Sequence, residues 1–219
     1  MTNWSPEFSA RILHGFSESL LLPVILGLIV FLVWVLVEIG VFGAEFRQRR
    51  KQRQFFNSRR LLREIAACKS RAGAREFARQ IIDGNWPETF KSIVSAWETA
   101  TIAAPEMRQV FARRLLEAEE QKGERILERV ELLAKLGPIF GLMGTLIPLG
   151  PGLAALGNGD VTALARAVMI AFDTTVAGLA IGGAAFVLAK VRRRWQTVFF
   201  ADLEVVMEAL LEEGAGDDA

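Results

Sequence analysis

Leu136–Gly159 reads LGPIFGLMGTLIPLGPGLAALGNG, 24 residues without a charged side chain. After a short link, Ala167–Ala189 reads AVMIAFDTTVAGLAIGGAAFVLA, 23 residues interrupted only by Asp173. At about 1.5 Å of rise per residue, each is long enough to cross a hydrocarbon core of about 30 Å as a helix. The first run is rich in glycine and proline (Gly137, Pro138, Gly141, Gly144, Pro148, Gly150, Pro151, Gly152). Such breakers are tolerated in a membrane where neighbouring helices cover the freed backbone groups, so this run is predicted to pack inside a bundle. Gly157–Asp160, GNGD, is a turn cluster that folds the two runs into a hairpin.

Working outward, Ser19–Val37 is a third uncharged run, of 19 residues. A cleavable signal peptide is the competing reading. Such peptides carry a basic leading region and a shorter apolar stretch, whereas here only Arg11 precedes and Glu7 and Glu18 flank. The chain is therefore expected to be an all-α membrane protein with three transmembrane helices and long cytoplasmic helical extensions. Of 26 Lys plus Arg, 20 fall in residues 44–135 and four in 190–219, which assigns those parts to the cytoplasm. The expected order is an outer N-terminal segment (1–18), transmembrane helix 1 (19–43), a cytoplasmic helical insert (44–135), helix 2 (136–157), an outer turn (158–166), helix 3 (167–190) and a cytoplasmic helical tail (191–219). The expected location is the plasma (inner) membrane, multi-pass.

The insert has apolar residues at helical spacing: Leu61, Leu62, Ile65, Phe77, Ile81, Val110, Leu115, Leu116, Ile126, Leu127 and Val130. Asn85-Trp86-Pro87 and Ala104-Pro105 divide it into about three helices, the last running into helix 2. The tail repeats the pattern with Trp195, Val198, Phe199, Leu203, Val206 and Leu210. Two basic clusters, Arg47, Arg49, Arg50 and Lys51 after helix 1 and Arg192, Arg193 and Arg194 after helix 3, fall at the inner surface. There each cation near anionic lipid is worth about 1 kcal/mol. A nucleic-acid patch is the alternative reading, but the net charge of +1 and the adjacent apolar spans argue against a nucleic-acid partner. One cysteine, Cys68, and one histidine, His14, exclude a disulfide within the chain and a multi-histidine metal site, so no metal or cofactor is expected. No nucleophile elbow, phosphate loop or metalloprotease motif is present, and an enzyme is not expected.

A carboxylate within a span costs about 2.5–3.5 kcal/mol on insertion scales and normally faces a cavity or a partner. Asp173 is therefore either part of an ion route or a residue that reaches outward to Arg166, two turns away. Thr145, Thr174 and Thr175 lie in the middle to outer half of the membrane. A hydroxyl is both donor and acceptor, which suits passing an ion or water along a narrow dry path. The other common use of such a threonine is a bond back to its own helix. Gly137, Gly141 and Gly144, with Gly178 and Gly182, form small-residue spacings for close helix packing.

KLGPIFGLMGTLIPLG (135–150) and AFDTTVAGLAIGGAAFVLAKV (171–191) resemble the second and third spans of the MotA/TolQ/ExbB proton channel family, in particular its ExbB/TolQ branch. In that family a proline is followed by a GL-x-GT run, and the next span is built on a T-x-x-GL core. The resemblance implies that Thr145 and Thr175 line the pore. It also implies a homo-oligomer, pentameric in the family, around the single-span helices of an ExbD/TolR/MotB-like partner that carries a membrane aspartate. The chain would then be a stator subunit that converts ion flow into mechanical work. Family members often carry an acid five residues before the second threonine; here that position is Ile170, and the acid is Asp173. The two positions are one helical turn apart, so Asp173 is expected to serve the same face near the outer mouth. Asp173→Asn is expected to reduce flux more than Gly182→Ala. Rival readings are a sodium-driven stator of the same architecture and a non-conducting membrane scaffold whose basic helices recruit a cytoplasmic partner or anionic membrane lipids.

Overall fold

The computed structural model describes residues 15–16, 19–53, 74–84, 86–103 and 107–214. Arg11, His14, Leu61, Leu62, Ile65 and Cys68 lie outside the described residues. Among the described residues the helices are α1 Leu21–Arg53, α2 Ala74–Asp83, α3 Glu88–Ala103, α4 Arg108–Gly157 and α5 Val161–Gly214. No strand occurs among the described residues. α1, α4 and α5 are each long and apolar enough to cross a membrane. α2 ends at Asp83 and α3 begins at Glu88, directly after Pro87. α4 stays helical through Pro138, Pro148 and Pro151, each of which removes one backbone donor from the helix.

Two compact units divide the chain, the first comprising residues 1–42 and 128–190. Its centre is the α4–α5 hairpin. Asp160 N donates to the Ala155 carbonyl and Gly159 N to the Leu156 carbonyl, the paired bonds that close a helix on a left-handed residue. That residue is Gly159, with φ of 82°. Asp160 also starts α5: its Oδ1 accepts from Ala163 N at 2.9 Å, so three residues end one helix and cap the next. A Cβ at Gly159 would meet nothing within 4 Å, and a substitution there is opposed by backbone conformation alone. Gly159→Ala is expected to cost about 1–2 kcal/mol, read as a lower unfolding temperature of the detergent-solubilised chain, while Gly157→Ala, helical and equally open, leaves it unchanged or raised.

α1 packs on the hairpin through one aromatic contact. Phe140 of α4 fills the space left by Gly27, where a Cβ would come within 2.5 Å of the ring, and it meets Phe31 edge-on at 4.9 Å between centroids. Val24, Leu28 and Val35 form the buried stripe of α1, while Leu22, Leu26, Ile29, Val30, Val33 and Leu36 stay exposed. Exposing those to water would be unexplained; facing lipid, they are the ordinary outer surface of a span.

The second unit comprises residues 43–127 and 191–219. Its core joins Ala78 and Ile81 of α2, Phe90, Ile93, Val94 and Trp97 of α3, Ala112 of α4, and Leu203, Val206, Met207 and Leu210 of α5. The repeated spacing of three and four in α3 and α5 puts each set on one helical face. Phe90 and Phe199 meet edge-on at 5.2 Å. Three apolar residues of the expected pattern, Val110, Ile126 and Val198, are exposed instead; Val110 and Val198 each fall about a quarter turn or more off the buried stripe.

Candidate functional site

The hairpin helices touch along a line of glycines. A Cβ at Gly178 would lie 2.6 Å from the Gly137 carbonyl oxygen and 2.7 Å from Gly141 Cα, and one at Gly141 would lie 3.1 Å from both Gly178 Cα and the Thr174 carbonyl. Gly182 faces the Pro138 ring and Gly144 faces the Thr174 side chain, each at 2.6 Å from the would-be Cβ. Nearer the turn, Gly152 takes Ala167. Residue numbers rise on α4 as they fall on α5, so the pair is antiparallel. Backbones this close bring carbonyls against Cα–H groups of the other helix, a weak contact repeated along the seam.

This line fixes where the polar side chains go. Thr174 lies on it, only 8% exposed, packed on Gly144. Thr145 follows Gly144 by one residue and Thr175 follows Thr174 by one, a rotation of about 100° in each helix. Because the helices run in opposite directions, these two rotations lead to the same side of the hairpin. Thr145 and Thr175 are thus brought together on one face, both half-buried beside the seam. Asp173 precedes Thr174 by one residue, so its rotation leads to the other side.

Asp173 stands one turn from Ile170, as the spacing suggests, and about 200° around α5 from Thr175. Asp173 and Arg166 are both exposed, and no ion pair joins them. A side chain at Gly182 would strike the proline ring of α4.

All three hydroxyls donate back to their own helices. Thr145 Oγ1 donates to the Leu142 carbonyl at 2.7 Å, Thr175 Oγ1 to Ala171 at 2.8 Å, and Thr174 Oγ1 to Ile170 at 2.9 Å and Ala171 at 3.0 Å. With its hydrogen engaged, a hydroxyl offers only lone pairs to a visitor. The threonine face therefore presents acceptors, which suit a cation, a hydronium or a donor water and not an anion.

The basic residues separate. Arg47, Arg193 and Arg194 are exposed, and Arg49, Arg50 and Lys51 lie outside the described side chains. Arg192 does not join them at the surface: it is 4% exposed and faces Glu45. Consecutive residues on a helix fan out by about 100°, so three arginines in a row cannot share one surface. Sequence reasoning did not find the Phe140–Gly27 contact or the Glu45–Arg192 pair. The lone glycine within the apolar run of α1 was the available signal for the first. Among the described residues no cluster of His, Cys, Asp or Glu could hold a metal.

Three membrane-length helices, two of them locked at backbone contact with hydroxyls on one side, define a helical membrane protein. The chain belongs to the MotA/TolQ/ExbB proton channel family, which it matches over residues 71–204, more than half of its length. That stretch contains α2 to α4 and most of α5, including both threonines and every glycine of the seam. Members of the family work in complexes with partner membrane proteins. No curated protein matches the chain.

Proposed function

We propose that this chain is the ring-forming subunit of a proton-driven stator, without enzymatic activity, that couples ion flow to mechanical work through a single-span partner of the ExbD/TolR/MotB kind. The observation that carries the reading is the common side of Thr145 and Thr175, beside a seam where Gly137, Gly141 and Gly178 meet at backbone contact. Copies arranged as a pentamer with this side inward would surround the partner helix with acceptor oxygens. The partner's aspartate supplies the titrating group, which the threonine face lacks. Asp173 points away from that route, so it does not add a fixed negative charge beside the partner's acid, where repulsion would oppose ionisation. One charge crossing 100 mV yields about 2.3 kcal/mol, the driving term for each step. The N-terminus lies outside and the C-terminus in the cytoplasm, with Arg47, Arg193 and Arg194 against anionic headgroups.

A sodium-driven stator is the second reading, favoured by the same acceptor-only face, because hydroxyl and carbonyl oxygens are also ligands for hard cations. Reconstituted vesicles containing this chain and its partner separate the two. A proton gradient without sodium is expected to drive partner-dependent flux, and a sodium gradient at constant pH is not. The opposite result assigns sodium, and no flux under either gradient leaves the non-conducting scaffold.

A further inference from the structure

Within the second unit, one turn of α5 binds both other long helices. Arg192, 4% exposed, places Nε 3.5 Å from Glu45 Oε2 of α1, and Trp195 lies against Phe46 with ring centroids 6.0 Å apart. On a neighbouring stripe, Gln196 Nε2 donates to the Gly123 carbonyl of α4 at 2.7 Å. A Cβ at Gly123 would come to 3.1 Å from Gln196 Nε2 and 3.4 Å from Phe200, so this approach needs the missing side chain. Arg192 and Trp195 are three residues apart and face α1; Gln196 and Phe200 are four apart and face α4.

A buried guanidinium keeps its charge only if a carboxylate and further hydrogen bonds replace its lost water. Glu45 supplies the carboxylate, from the part of α1 just beyond its apolar run. α1 needs such an anchor, since only 17% of its membrane window is buried, against 39% for α5. Lipid gives no hydrophobic force to hold one span against another, so close packing and specific polar contacts beyond the apolar run share the attachment.

We infer that residues 192–196 of α5 form a joint in which Arg192, a positioning residue, fastens α1 through Glu45 while Gln196 fastens α4 through the Gly123 carbonyl. Movement of α5, the helix that bears Thr175, then carries α1 and α4 with it. That consequence rests on the stator reading; the joint itself does not.

Charge exchange tests it in the full chain. Arg192→Glu and Glu45→Arg, each alone, are expected to speed amide hydrogen exchange at residues 43–47 about tenfold by freeing the inner end of α1. The double variant Glu45→Arg/Arg192→Glu is expected to restore protection to within about twofold, which a general packing defect would not do. In vesicles with the partner, coupled flux should follow the same pattern of loss and recovery. Should a single variant fail to insert, Glu45→Gln keeps the side-chain shape and is read in the same exchange assay. Unchanged exchange in the single variants, or no recovery in the double, overturns the joint. Recovered exchange without recovered flux leaves the joint standing and removes its link to ion coupling.

Discussion

Gly178→Ala is expected to destabilise the hairpin by about 1–3 kcal/mol or more, while Gly183→Ala, five residues along the same helix, leaves it unchanged or slightly more stable. The added methyl at Gly178 meets the Gly137 carbonyl at 2.6 Å and Gly141 Cα and N at 2.7 and 3.0 Å. All three are backbone atoms, which cannot rotate aside, so the helices must part and the contacts of Gly137, Gly141 and Gly182 weaken together. Overpacking of an already close interface carries about this cost. At Gly183 nothing lies within 4 Å, and alanine is the better helix former by about 0.5–1 kcal/mol. Unfolding of the purified chain in detergent reads both. Equal effects at the two positions would mean that α4 and α5 do not meet along this line.

Thr145→Val and Thr175→Val are expected to leave insertion and assembly intact while lowering coupled flux by about ten- to a hundredfold each. Valine keeps the branched shape and removes only the oxygen, so the half-buried packing beside the seam is little disturbed. On the proposed stator reading the lost oxygen is an acceptor on the ion route, and leaving a charged visitor one hydrogen bond short costs roughly 1.5–3 kcal/mol. In a barrier that is a factor of about ten to a hundred. Thr174→Val differs in kind, because Thr174 fills the contact with Gly144; its effect should appear as stability more than as flux.

Much of this was legible in the sequence, for physical reasons that also mark where legibility ended. Two uncharged runs of membrane length, joined by GNGD, announced the hairpin, because lipid admits few other arrangements of backbone. The glycines announced its close packing. Which side a threonine faces was not legible from its position alone, since the answer depends on the line of contact, and that line is set by both helices. Once Gly144 and Thr174 are seen to touch, Thr145 and Thr175 follow. The spacing of Asp173 from Ile170 gives its place along the helix, while its angle from Thr175 gives its side. Arg192 was read as a surface cation because the charge of RRR was taken as a block, although a helix separates three consecutive side chains around its axis. The exposed Val110, Ile126 and Val198 show the same limit: helical spacing identifies a helix better than it identifies the buried face.

The most direct measurement is ion flux, under one fixed gradient, in vesicles holding the assembled complex, comparing wild type with Thr145→Val, Thr175→Val and Asp173→Asn at matched protein content. With the threonines lining the route and the aspartate on the opposite side of the hairpin, both threonine variants lose flux and the aspartate variant keeps at least half of it, roughly. Retention of flux by both threonine variants, with loss in Asp173→Asn, would place the ion on the other face and contradict the account.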